Sequence, residues 1–121
     1  KNERLCSKPL IDQLIQKGNS FNGFPFKIIW MEIQQSTSPV KIVISVPKRK
    51  FKKAVDRNRI KRLIREAYRK NKHQLMERIE NKKVVLLLIY TARTIPEYAE
   101  TEEKINQALI RLGNEINPLN R

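Results

Sequence analysis

Apolar positions recur along this chain with two different periods, and the period changes mark its elements. Leu10, Ile11, Leu14 and Ile15 stand at i, i+1, i+4 and i+5, the stripe of a short helix. Ser7 suits its cap, Pro9 its first turn and Gly18 its end. Residues 19–25 read as a loop or short edge strand, punctuated by Gly23 and Pro25. Residues 26–34 (FKIIWMEIQ) and 40–46 (VKIVISV) predict two strands joined by a Ser/Thr/Pro turn as a hairpin-like pair. In the first of them Phe26, Ile28 and Trp30 share one face, and Lys27, Ile29 and Met31 share the other. A lone Trp in such a strand reads first as core. Ile60, Leu63, Ile64, Ala67 and Tyr68 return to the helical period, and Gln74, Leu75, Met76 and Ile79 prolong it. Residues 83–91 (KVVLLLIYT) are apolar on both faces, the mark of a central strand. The last helix, 95–116, starts at Pro96 and places Glu97, Glu100, Glu102 and Glu103 in its early turns, where the helix dipole favours acids. Its stripe is Ile105, Ala108, Leu109, Leu112 and Ile116.

The order of elements predicts an α+β fold, a two-layer sandwich of a four-stranded mixed sheet with about three helices. Strand, helix, strand from Val40 to Tyr90 makes a crossover, which lets its two strands run parallel; the general rule makes such crossovers right-handed. A length of 121 residues, without an internal repeat or composition break, gives one domain, 1–121.

Charge changes this picture at one place. The chain has 26 Lys and Arg against 12 Asp and Glu, a net charge of +14, and residues 47–73 (PKRKFKKAVDRNRIKRLIREAYRKNKH) hold 13 of the basic residues beside only Asp56 and Glu66. On a helical wheel, Ile60, Leu63, Ile64, Ala67 and Tyr68 fill an apolar arc of roughly 140°, and Arg57, Lys61, Arg62, Arg65, Arg69 and Lys72 fill an adjoining arc of about 140° with no acid among them. Arg59 lies about 200° from Arg57, so the two arginines splay to opposite flanks of the apolar stripe. Cations before a helix and in its early turns oppose the macrodipole, and like charges at i,i+4 repel. Solvated faces ordinarily mix signs. A one-signed face at this end of a helix therefore implies a polyanion as partner.

The inventory excludes several chemistries. Cys6 is the single cysteine, so an internal disulfide and a Cys-based zinc site are both ruled out, which fits a reducing compartment. His73 is the single histidine and has no acid or thiol spaced around it for catalysis. A protein nuclease needs a metal-binding acidic cluster, a general acid–base pair or an activated nucleophile. None is present, nor is a Gly-rich phosphate loop. No apolar run reaches the ~18 residues of a membrane span. Catalytic and metal-ligating residues are therefore expected to be none. On charge alone the polyanion could be RNA or DNA, and no base-reading helix pattern argues for DNA.

AVDRNRIKRLIREAYR, preceded by a Val-rich strand ending ISVPKR, resembles the Arg-Asn-Arg signature of the bacterial ribonuclease P protein component. The likeness is close from Lys41 to Tyr68 and looser from Arg4 to about Ile116. It implies a left-handed crossover, against the general rule. It also implies that an RNA subunit is the catalyst removing the 5′ leader of precursor tRNA, with Mg2+ held mainly by that RNA. The protein would then be a non-catalytic subunit of a cytoplasmic holoenzyme, with the catalytic RNA and precursor tRNA as partners and no membrane. On this reading Lys48, Arg49, Lys53, Arg57, Asn58, Arg59, Lys61, Arg62, Arg65 and Arg69 bind RNA. Ile11, Ile15, Lys27, Ile29 and Ser45 line a groove for the single-stranded leader. Ile11 and Ile15 stand where the family commonly has phenylalanines, and the loop carries Lys50 and Phe51 in place of a glycine-bearing turn. Replacing Arg57 and Arg59 together is expected to weaken assembly while changing stability by no more than about 1 kcal/mol. The alternative is an RNA-binding module of the ribosomal-protein or RNA-chaperone kind.

Overall fold

The computed structural model describes residues 8–33, 40–79 and 82–117, with side chains in the first stretch from Ile11 onward. Cys6, the proposed cap Ser7 and the proposed turn at 34–39 lie outside the described residues. In chain order the elements are α1 (Lys8–Lys17), β1 (Asn19–Gly23), β2 (Phe26–Ile33), β3 (Val40–Ser45), α2 (Ala54–Ile79), β4 (Lys83–Tyr90) and α3 (Tyr98–Ile116). The polar segment after Asn71 does not break the helix. At 26 residues α2 is about 39 Å long.

Strand β4 sits inside the sheet because it is the most apolar strand on both faces, with Val84 through Leu88 all buried. The strand order is β1-β2-β4-β3. β2 runs antiparallel to both β1 and β4, and β3 runs parallel to β4. The hairpin-like pairing expected of β2 with β3 is therefore wrong. β4 lies between them, and the true hairpin of β2 is with β1, closed by Phe24 and Pro25, whose peptide bond is cis. The reason is burial: a strand apolar on both faces gains most between two partners, so it displaces the nearer neighbour in sequence. The expected parallel crossover, β3-α2-β4, is present, and the four-stranded mixed sheet with three helices is the expected α+β arrangement.

Helices α2 and α3 cover one face of the sheet. They run side by side in the same direction: Asn71 Nδ2 donates to Glu102 Oε2 at 3.2 Å, and Asn117 Nδ2 donates to the Arg78 carbonyl at 3.2 Å. Beneath them lies the main core, which takes Phe26, Ile28 and Trp30 from β2, Ile60, Ile64, Ala67 and Tyr68 from α2, and the whole stripe Ile105, Ala108, Leu109, Leu112 and Ile116 from α3. Trp30 is thus a core residue, and its Nε1 is buried with no hydrogen-bond partner among the described residues. Tyr90 is packed between Phe26 and Phe51, with ring centroids at 5.9 and 6.0 Å. Its hydroxyl donates to the Thr94 carbonyl at 2.7 Å, and burial, with Glu100 nearby, pushes the phenol's pKa up.

The sheet's other face carries α1 over part of its width. Leu14 is fully buried against Ile29, Val85 and Leu87, whereas Ile15, on the same sequence stripe, is 57% exposed. A ten-residue helix presents only one or two side chains to a flat sheet, so Ile15 is left outside. Gly18 ends α1, donating its N–H to the Leu14 carbonyl at 2.8 Å. A Cβ there would collide with that carbonyl oxygen and with Ile29 Cγ2, so the glycine is required by close approach.

Candidate nucleic-acid interface

The basic loop, residues 47–53, is folded by its own side chains. Phe51 is buried in the main core. The Lys50 and Phe51 N–H groups both reach the Pro47 carbonyl at 3.2 Å, and Lys50 Nζ donates to the Thr91 carbonyl at 2.7 Å. Lys50 and Phe51 therefore anchor the loop. Lys48, Arg49, Lys52 and Lys53 remain exposed around them.

Arg57 ties this loop to α2. Its Nη1 donates to the Phe51 carbonyl at 2.8 Å and to the Lys52 carbonyl at 2.9 Å, so the guanidinium is half-buried and structural as well as cationic. Asn58, Arg59, Arg62, Arg65 and Arg69 are exposed along α2, and Lys61 is half-exposed. From Arg57 to Arg69 the cationic face extends about 18 Å. It lies clear of the sheet because Ile60, Ile64, Ala67 and Tyr68 occupy the adjoining arc and take it into the core.

One member of the face is already paired. Arg69 Nε donates to Glu66 Oε1 at 3.0 Å, and Arg69 Nη2 to Oε2 at 2.8 Å. The hydrogen bond from Arg69 holds the Glu66 carboxyl below its usual pKa, and the same bond raises that of Arg69. Both side chains are solvent-exposed, so this pair contributes little to stability, but an incoming phosphate must compete with it.

Of the five residues expected to line a groove, Lys27, Ile29 and Ser45 share the sheet face on which α1 packs. Inter-strand register puts Lys27 opposite Ile89, and Ile89 opposite Ser45, in one row across three strands. At ordinary strand spacing Lys27 and Ser45 are about 10 Å apart. On α1, Ile11 is half-buried and Ile15 exposed; Lys27 is exposed and Ser45 half-exposed. Ile29 is different: at 8% exposure beneath Leu14 it is floor under the helix rather than an open contact. The open floor is supplied instead by Lys41, Val43 and Ile89, half-exposed residues on the same face. Reading the sequence missed these three because their face assignment depends on β3 pairing with β4 rather than with β2.

Tyr98 was also missed, since the last helix carries no cationic pattern. The parallel packing of α3 on α2 sets this tyrosine beside Arg62, Leu63, Arg65, Glu66 and Arg69 around a common cavity. Nothing in the local sequence announces it. Among the described residues no group of three or more His, Cys, Asp or Glu could hold a metal ion, and no helix is long and apolar enough to cross a membrane.

Comparison with known proteins agrees with this arrangement. A family model described as Ribonuclease P matches residues 1–113. The ribonuclease P protein component of Porphyromonas gingivalis is 29% identical over 119 residues, covering 96% of this chain and 87% of that protein. Among solved structures, the RNase P protein of Staphylococcus aureus superposes with a TM-score of 0.71 at 20% identity, covering 97% of this chain and all of that one. The RNase P protein of Thermotoga maritima gives 0.72 at 23% identity, covering 90% and 96%. At such identities the structural likeness speaks for the fold.

Proposed function

This chain belongs to the ribonuclease P protein family, as a protein component of that holoenzyme, and from that premise we propose how its two surfaces divide the work. The exposed residues of the basic loop and α2, namely Lys48, Arg49, Lys53, Asn58, Arg59, Lys61, Arg62, Arg65 and Arg69 with Arg57 behind them, bind phosphates of the catalytic RNA. The half-covered sheet face holds the single-stranded 5′ leader of precursor tRNA. The observation that carries this reading is a one-signed face, built on a rigid helix and a loop pinned by Arg57, that adjoins the groove: β3 leaves Ser45 two residues before Pro47.

The chemistry follows from the groups available. A guanidinium fork meets a phosphate through two parallel N–H donors, which lysine's point charge does not. Releasing condensed counterions from about six phosphates predicts a log–log salt slope of roughly −4 to −5. In the groove, Lys27 and Lys41 offer charge to the leader backbone, while Ile11, Ile15, Val43 and Ile89 offer apolar contact. That combination is tolerant of sequence, as many different leaders require. Mg2+, held mainly by the RNA, supplies the hydrolytic chemistry; the protein residues position the RNA and the leader.

The test mixes the protein with the catalytic RNA of the same organism and follows leader release from precursor tRNA at low magnesium, with each component omitted in turn. Turnover by the mixture alone, with precursor bound more tightly than mature tRNA, is the expected result. RNA turnover indifferent to the protein would remove the reading and favour a general RNA-binding module.

A further inference from the structure

Between α2 and the first turn of α3 lies a cavity of about 350 Å³ lined by Arg62, Leu63, Arg65, Glu66, Arg69 and Tyr98. We propose that it receives one unstacked nucleotide of the RNA partner, its base against Leu63 and Tyr98 and its phosphate on the arginine rim. The inference rests on the RNA-binding reading of α2 and adds a site on α3, a helix to which the sequence pattern assigns no ligand.

Five observations converge on a nucleotide. The volume falls in the range of small-ligand sites, which are mostly apolar with a few placed polar groups. Leu63 is half-exposed although its arc neighbours Ile60, Ile64, Ala67 and Tyr68 are all buried. The Tyr98 hydroxyl is buried and has no hydrogen-bond partner among the described residues; a buried hydroxyl left unpaired costs about 1–3 kcal/mol. The tyrosine ring is steadied by Lys70, whose Nζ stands 5.4 Å from its centroid. The cavity mouth is cationic, since the one acid, Glu66, is neutralised by Arg69.

The same geometry gives the splay of Arg57 and Arg59 a purpose. Arg57 turns to the loop, whereas Arg59 stands one turn before Leu63, at i−4, on the cavity side of the helix. A base that leaves the RNA stack on this side is followed by backbone that meets Arg59 and Arg62. A duplex lying flat on one face would use neither the tyrosine nor the splay.

The experiment is ultraviolet cross-linking of the complex between the full chain and its catalytic RNA, followed by peptide mass analysis, together with affinities for wild type, Tyr98→Leu and Arg62→Ala across salt. A nucleotide adduct on the peptide containing Tyr98 is expected. Tyr98→Leu should weaken RNA binding about five- to one-hundred-fold, the range for losing one base–aromatic stack, with an unchanged salt slope. Arg62→Ala should lower the slope by roughly 0.7–0.9. Wild-type affinity for Tyr98→Leu together with no adduct, while the wild-type chain still binds RNA with a steep salt slope, overturns the cavity assignment and leaves the α2 reading intact. Equal adduct yield with free uridine monophosphate overturns the assignment to the RNA partner. A wild-type chain that does not bind the RNA removes both readings.

Discussion

Arg57 and Arg59 are two residues apart and both cationic, yet their replacement by alanine should produce different signatures. Arg57→Ala removes two hydrogen bonds, to the Phe51 and Lys52 carbonyls. At about 0.5–1.5 kcal/mol each, with the exposed one discounted, the loss comes to about 1–2 kcal/mol. Arg59 is exposed, and its replacement should change stability by no more than about 0.5 kcal/mol. Both variants should lose one phosphate fork, about 1.5–3 kcal/mol or ten- to one-hundred-fold in affinity for the catalytic RNA, and about 0.7–0.9 of salt slope. Arg57→Lys should keep the slope and not the stability. Trp30, the single tryptophan and 9% exposed in the main core, is a native reporter for urea unfolding. With an m value of about 1–3 kcal/mol/M, the Arg57→Ala midpoint should fall by roughly 0.5–1 M while that of Arg59→Ala stays put. Equal midpoints for the two variants would refute the loop-anchoring argument, and a large fall for Arg59→Ala would assign that residue to the fold.

Other substitutions probe the groove, the internal ion pair and the core. Ile15→Phe adds an aromatic to a position 57% exposed on α1, the proposed groove wall; it should tighten precursor tRNA relative to mature tRNA several-fold, with stability within about 0.5 kcal/mol, and equal effects on both RNAs would argue against Ile15 facing the leader. Glu66→Gln frees Arg69 from its competitor, so RNA affinity should rise a few-fold and the salt slope by up to about 0.9; unchanged binding in a salt titration would place Arg69 off the interface. Because the Glu66 carboxyl is held below its usual value of 4.5, the ion pair is intact at neutral pH and is lost only as pH falls through that depressed pKa. Tyr90 has the opposite sign. Its phenol is raised above 10.0 by burial, so its contribution to stability is complete below pH 10 and disappears as pH rises through the folded value. Tyr90→Phe should cost about 1 kcal/mol for the hydroxyl's bond to Thr94 and flatten the alkaline limb of the stability profile.

Much of the fold is legible in local pattern, and the exceptions are instructive. The α3 stripe from Ile105 to Ile116 is buried as its spacing requires, and the doubly apolar run 84–88 takes an interior position in the sheet. The cationic face of α2 is readable because an apolar arc on one side of a helix leaves its neighbours to solvent. Strand pairing is not local. β2 and β3 adjoin in sequence, but β4 offers both of them a more apolar flank, and only the assembled sheet reveals that Lys41, Val43 and Ile89 share a face with Lys27 and Ser45.

Sequence by itself thus determined the elements, the family and the sign and place of the charge, because periodicity and composition act within a few turns of chain. Tertiary structure alone decided which residues are open and which are committed. Leu14 is buried while Ile15 is exposed because a short helix meets a flat sheet along one line. Arg57 is half structural because the loop carbonyls of residues 51 and 52 come back to it. Tyr98 meets the arginines of α2 because two helices far apart in sequence pack in parallel, a contact whose free energy depends on burial between distant segments and leaves no trace in the spacing of either one.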